Sequence, residues 1–255
     1  MKVLFVKKKV LVIIAIVAVF ILTFSLNANN IHVGATYFEK SKKYPIYAVE
    51  TSENKLSISF DAAWGADKTS EIMDVCDAYG VKATFFLVGF WVEEYPEKVK
   101  EIYNRGFEIG LHSNSHPDMT KLSKAEMEDE LKSNIKLIED LTGFRPKLFR
   151  PPYGYYNNSL MDVCDSLGVV CIQWSVDSLD WKGYLASDVA GRVVEKSKSG
   201  SIILCHNNSD HVINSTKMIL EHFKQKQMQV VPIGELIYKT NYKINNQGTQ
   251  IKLDK

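Results

Sequence analysis

Two histidines, His112 and His116, stand four residues apart in Leu111-His-Ser-Asn-Ser-His-Pro117, a spacing that brings two imidazoles together and suits a divalent cation. An isolated pair of this kind is more often a satisfied or solvent-facing one, but this pair directly follows the apolar run Ile109, Gly110, Leu111. Asp61 comes straight after the alternating Leu56, Ile58 and Phe60. A loop aspartate is ordinarily a turn or helix cap, whereas one at the end of an apolar strand is placed to act as a base. His206 closes Ile202-Ile-Leu-Cys205 and reads either as a core histidine or as a general acid; an acid needs a carboxylate to orient it, which Asp177 or Asp180 can supply. Arg150 opens Arg150-Pro-Pro-Tyr-Gly154, where two prolines restrict the backbone, and it fits a structural ion pair or the orientation of a catalytic carboxylate. The four tryptophans are expected chiefly in the core, although Trp181 beside Asp180, with Tyr153, Tyr155 and Tyr156, suits a groove for sugar faces.

What must position these groups is a series of short strands and helices. Strands are predicted at residues 56–60, 83–88, 108–111, 148–150, 169–174, 201–205 and 229–231. Helices are predicted at 69–79, 96–105, 124–141, 159–167, 187–197 and 215–226; the third opens on Ser123 and Glu126, the spacing of a capping box. About seven strand-helix units of this kind form an α/β domain, wound as an open parallel sheet or closed into a barrel. Asp61, His112, Arg150, Asp177, Asp180 and His206 all fall at or just after strand ends, and in a parallel barrel those ends share one face.

The chain of 255 residues carries 31 Lys and Arg against 30 Asp and Glu, so no basic surface points to nucleic acid, and a neutral partner is favoured. Cys76, Cys164, Cys171 and Cys205 have no metal-knuckle spacing and read as buried thiols, with a Cys171–Cys205 disulfide as the alternative. Lys2, Lys7, Lys8 and Lys9 precede an apolar run from Val10 to Leu26, which predicts an uncleaved single-pass anchor with the domain outside the membrane, or else a cleaved secretory signal. The expected organisation is an anchor or signal at 1–28, a stalk at 29–54, the catalytic domain at 55–238 and a loose polar tail at 239–255. A monomer is expected.

Five blocks stand in order: Ser59-Phe-Asp61, His112-Ser-x-x-His116, Arg150-Pro-Pro-Tyr-Gly154, Asp177-x-x-Asp180-Trp181 and Leu204-x-His206. Together they resemble the polysaccharide deacetylases of carbohydrate esterase family 4, the NodB-homology domain, over residues 55–237. The short form with Phe-Asp-x-x-Trp-Gly looks most like the membrane-anchored, sporulation-associated members of Gram-positive bacteria. The resemblance implies a distorted (β/α) barrel of about seven parallel strands, hydrolysing N-acetyl groups of amino sugars in peptidoglycan or a related cell-wall glycan. It also implies a zinc-like ion on His112 and His116, with Asp61 as the base and Arg150 orienting it. His206 becomes the acid for the leaving amine, tuned by Asp180 or Asp177. Tyr153 supplies a backbone oxyanion contact, and Leu204 and Trp181 shape the acetyl pocket. One position departs from the pattern: Ala62 stands where the family has a second aspartate as metal ligand, which implies a weakly held ion and leaves a catalytically silent glycan-binding domain as the alternative.

Overall fold

The computed structural model describes residues 42–253, together with Val17. The expected anchor and most of the expected stalk therefore lie outside the described residues. Ordered elements run β1 (Ala48–Val49), β2 (Lys55–Ala62), α1 (Thr69–Ala78), β3 (Thr84–Leu87), α2 (Gly89–Glu94), α3 (Pro96–Asn104), β4 (Glu108–Leu111), α4 (Lys124–Thr142), β5 (Leu148–Phe149) and α5 (Asn158–Leu167). There follow β6 (Val170–Cys171), β7 (Val176–Asp177), α6 (Ala186–Lys196), β8 (Ile202–His206), α7 (Val212–Gln225), β9 (Gln229–Val230), α8 (Ile233–Leu236), β10 (Tyr242–Ile244) and β11 (Thr249–Lys252).

Seven of these strands form one parallel sheet in the order β6-β5-β4-β3-β2-β8-β7, and β9 pairs with the first two residues of β2. The sheet curls into an incomplete barrel, so of the open sheet and the barrel that the alternation of elements leaves open, the one observed is the barrel that the family resemblance implies. Helix α4 begins at the predicted box, where Ser123 and Glu126 cap each other, and ends at Gly143 in the left-handed conformation.

Strand parity divides the core in two. On β2, Leu56, Ile58 and Phe60 join the helix-facing apolar cluster with Phe85, Leu87, Ile109, Leu111, Phe149, Ile203 and Cys205 of neighbouring strands. The alternate residues turn to the concave side, where Phe86, Leu148 and Ile202 pack with Ile233 and Leu236 of α8. Ser57 and Ser59 share that side and donate to the carbonyls of Val231 (2.6 Å) and Ile203 (2.7 Å), which satisfies two hydroxyls in a dry interior. Asp61, His112, Arg150 and His206 continue the concave parity to the top of the barrel. Period-2 geometry alone thus directs four reactive side chains from four strands to one face.

Three expectations are corrected. The single strand expected at 169–174 is cut back to β6, and β7 starts beyond it at Val176, while backbone beyond Cys171 pairs with the segment around Ile46: Ile46 N–H donates to the Cys171 carbonyl (3.0 Å) and Gln173 N–H donates to the Ile46 carbonyl (2.8 Å). Residues 46–49, read as part of a stalk, are therefore built into the barrel wall, with Ile46 fully buried. The tail at 239–255 is not loose throughout: β10 and β11 form an antiparallel hairpin, and β11 pairs in parallel with β1. Gln250 secures it, its side-chain amide bonding both N–H and C=O of Tyr238 at 2.8 Å. A polar residue that satisfies backbone in this way looks like a tail residue by composition and behaves as a core residue. All four cysteines are free and buried, as the thiol reading expected, and the Cys171–Cys205 disulfide is not formed.

Candidate active site

Asp61 and His206 are register partners on the adjacent strands β2 and β8. Arg150 lies beneath them, fully buried, with its guanidinium carbon 4.2 Å from the Phe86 ring centroid. Gly110 makes that stack accessible, since a Cβ there would stand 2.5 Å from the Phe86 ring. Arg150 Nη1 donates to Asp61 Oδ1 at 2.7 Å, and Nη2 donates to the Gln173 carbonyl at 3.2 Å. Burial alone pushes the Asp61 carboxyl up, but the charge of Arg150, then those of His112 and His206 and the Arg150 hydrogen bond, hold it below the usual carboxylate range. Asp61 is thus an ion at neutral pH despite its burial.

His206 is set the opposite way. Its Nδ1 lies 2.8 Å from Asp180 Oδ1, and its backbone N–H donates to Asp180 Oδ2 at 2.8 Å, an oxygen that also accepts from Ser209 Oγ at 3.0 Å. Burial lowers the imidazole, but the bond to Asp180 and the charges of Asp180, Asp61 and Asp177 outweigh it and raise His206 above its ordinary value. The choice left open between the two aspartates is resolved by geometry: Asp180 binds His206, whereas Asp177 Oδ1 accepts from Leu179 N–H at 2.9 Å and caps the local turn.

His112 and His116 do come together, with ring centroids 5.0 Å apart, but on a loop rather than a regular turn. Ser113 and His116 both have left-handed φ, 65° and 59°, and the His116 N–H donates to Ser113 Oγ at 3.0 Å. Glu130 of α4 ties this loop down, accepting from Asn114 N–H (2.7 Å), Ser115 N–H (2.8 Å) and Ser115 Oγ (2.6 Å). Sequence reasoning missed Glu130, which carries no local signal beyond being one polar residue on a charged helix. His112 Nδ1 is 2.7 Å from the Arg150 carbonyl, which only accepts, so Nδ1 holds the proton of the neutral ring and Nε2 faces Asp61 Oδ2 at 3.5 Å. Burial lowers both imidazoles, His112 against the pull of Asp61, and His116 to about 4 with the charge of His112 adding to the effect.

These two neutral imidazoles are the donors that a divalent ion would use. A catalytic zinc site takes three protein ligands. Ala62, fully buried at the end of β2 on the face of Phe60, supplies no donor, and Asp118 is committed to Thr120 and Lys121. Among the described residues no group of three His, Cys, Asp or Glu has metal-binding geometry. The donor set therefore does not fit a tightly held three-ligand ion. Equilibrium dialysis of zinc against the protein is expected to give weak, sub-stoichiometric binding that His116→Ala removes. One zinc per chain surviving mild chelation would mean that a further residue completes the site.

The site opens into a cleft of about 800 Å³. Leu204 lies in its floor, and Tyr153 and Tyr155 border it with Trp181. Tyr153 sits in the left-handed region at φ 59°, inside the Pro-Pro-Tyr-Gly turn. Of the tryptophans expected in the core, Trp91 is fully buried, Trp174 lines the cleft, and Trp64 is 60% exposed at its mouth with its ring against His116 (5.3 Å between centroids). Tyr156 is packed against the core and is absent from the cleft lining.

Residues 48–172 match the family described as polysaccharide deacetylase. An uncharacterized protein of Bacillus subtilis, YlxY, is 30% identical over 81% of this chain and 64% of its own length. A peptidoglycan-N-acetylglucosamine deacetylase of Bacillus cereus is 36% identical over 79% of this chain and 75% of its own length. Among solved structures, a CE4 family pseudoenzyme from Bacillus anthracis superposes with a TM-score of 0.73 at 31% identity, covering 75% of this chain and 68% of that one, and a mutant of it is described as having restored enzymatic activity. With the five blocks assembled at one barrel mouth and relatives at this level of identity, the chain belongs to the polysaccharide deacetylase family.

Proposed function

We propose that this cleft hydrolyses the N-acetyl group of an amino sugar in peptidoglycan or a related cell-wall glycan. The observation that carries the reading is the pairing of Asp61 with Arg150 and of His206 with Asp180, which sets a buried carboxylate favoured as the ion beside an imidazole whose protonated form is favoured. Asp61 accepts a proton from the water that attacks the acetyl carbonyl. His206 delivers a proton to the nitrogen as the C–N bond breaks, so that an amine and acetate leave rather than a strongly basic amide anion. Arg150 keeps Asp61 ionised, Asp180 favours the protonated form of His206 and aims the ring, and Leu204 and Trp181 bound the space for the acetyl methyl. No step is assigned to a metal ion, because the donors present fall short of a three-ligand site.

A second reading, a silent glycan-binding domain, is favoured by one residue, Ala62, and by the likeness to the Bacillus anthracis pseudoenzyme. Acetate release from re-N-acetylated glycan oligomers by the purified full chain, measured beside oligomer retention, separates the two. Acetate above the no-enzyme rate supports hydrolysis; retention without acetate, with or without added zinc, supports the binding domain and overturns the catalytic reading. The lysine-flanked segment at 1–28 fits a single-pass anchor that holds the domain outside the cell, where such a glycan lies.

A further inference from the structure

We infer that Asn207 is a positioning residue whose side-chain amide, together with the Trp91 indole, fixes Trp64 at the cleft mouth as a wall on which a sugar ring packs. This rests on the deacetylase reading and adds to it how one wall of the cleft is held. Trp64 lies three residues beyond Asp61, on the loop that leaves β2, and it is 60% exposed. It lines the cleft, and an exposed aromatic face there suits the apolar face of a sugar. Its ring meets those of Phe90 and His116 at 6.3 and 5.3 Å between centroids, neither contact stacked face to face. Two such contacts hold a large exposed side chain only loosely, so the place of Trp64 is set by its backbone.

That backbone is pinned at the next residue. The Gly65 carbonyl accepts from Trp91 Nε1 and from Asn207 Nδ2, each at 2.7 Å, and both donors are buried. Gly65 has a left-handed φ of 63°, and a Cβ on it would stand 3.2 Å from Asp67 Oδ1, so the turn that offers this carbonyl inward needs glycine. Asn207 follows His206 directly, and its own N–H donates to the Asp61 carbonyl at 3.1 Å. Lys68 Nζ, further along the first loop, donates to the carbonyls of Asn208 (3.2 Å) and Ser209 (3.0 Å). The loops that follow β2 and β8 are thus laced together, and the second reaches Asp180 through Ser209 Oγ at 3.0 Å. Asn207 therefore holds Trp64 in register with the base and the acid. A carbonyl only accepts, so the amide nitrogen of Asn207 faces Gly65, and Oδ1 is left buried without a hydrogen-bond partner among the described residues. Leucine would fill the same space without that penalty, so what the amide contributes is its donor.

The test is a double-mutant cycle in the purified full chain with tetra-N-acetylchitotetraose, read as KM and kcat from acetate release and as Kd from calorimetry. Trp64→Ala is expected to raise KM and Kd about fivefold while kcat stays within about twofold. Asn207→Leu is expected to raise the same two quantities at least about threefold, and Trp91→Phe, which keeps an aromatic ring and removes the N–H, should act in the same direction. Added to Trp64→Ala, neither should raise them further, because the wall they hold is already gone. Effects that multiply independently in the double variants overturn the inference. Unchanged KM and Kd in Trp64→Ala or in Asn207→Leu overturn it as well. So does a fall in kcat at constant KM, which would place the action of Asn207 on His206 or Asp61 instead of on Trp64. Should Asn207→Leu fail to fold by circular dichroism, Trp91→Phe carries the same cycle at the same carbonyl. If no acetate is released, the deacetylase reading fails by itself and the Kd values decide the cycle; a chain that does not bind the oligomer at all overturns both.

Discussion

Asp61→Asn and His206→Gln are each expected to lower kcat for acetate release by at least about a hundredfold, with far-ultraviolet circular dichroism unchanged. Both replacements preserve volume, so the effect isolates proton transfer from packing. The pH dependence carries the sharper signature. Asp61 is held below the carboxylate range and His206 above the ordinary imidazole value, so the active form, carboxylate with imidazolium, covers a wider pH range than the free side chains would give. The acid limb of kcat/KM should fall below pH of about 4 and the alkaline limb above about 6.5, the values of the free side chains. His206→Gln should erase the alkaline limb from the residual rate. Near-normal turnover in either variant, or an alkaline limb that survives His206→Gln, would remove the proposed base and acid.

Arg150→Met is expected to cost on the order of 3–5 kcal/mol of folding stability at neutral pH, because it leaves the Asp61 carboxylate buried without its partner. Denaturant unfolding at several pH values gives the sign. In the unmodified protein the Asp61 pKa is depressed on folding, so its contribution is fully present above the unfolded value of about 3.9 and is lost as pH falls through the lower folded value. In the variant, burial dominates and the folded pKa rises above the unfolded one. Stability should then decline as pH rises through the carboxylate range, and the difference from the unmodified protein should shrink in acid. A loss below about 1 kcal/mol, or one equal at pH 4 and pH 7, would show that Arg150 is not what makes the buried carboxylate tolerable.

The two replacements probe different parts of one arrangement. Asp61→Asn removes the charge that Arg150 serves and leaves a buried guanidinium with its Gln173 bond and its Phe86 stack. Its stability cost should therefore be smaller than that of Arg150→Met, while its catalytic cost is at least as large.

The run of strand-helix units and the convergence of reactive residues at strand ends were legible in the sequence because both follow from short-range regularities, whereas closure into a barrel was implied by the family resemblance. Alternation along Leu56, Ile58 and Phe60 marks β2 and, by the same period, aims Asp61 to the opposite face; the same holds for Ile203 and Cys205 against His206. The Ser123 and Glu126 box and Gly143 bound α4 from within a few residues of its ends. Tertiary structure decided what depends on partners distant in the chain. The residue types alone leave Asp177 and Asp180 both open, the resemblance puts Asp180 first, and the path of the backbone after β7 gives Asp180 to His206 and Asp177 to a turn. Glu130 reaches the 113–116 loop across 15 residues, and Ile46 meets Cys171 and Gln173 across more than a hundred, so neither leaves a local trace. Gln250 gave no hydrophobic signal because its burial is secured by hydrogen bonds to Tyr238, and such satisfaction exists only once both segments are in place.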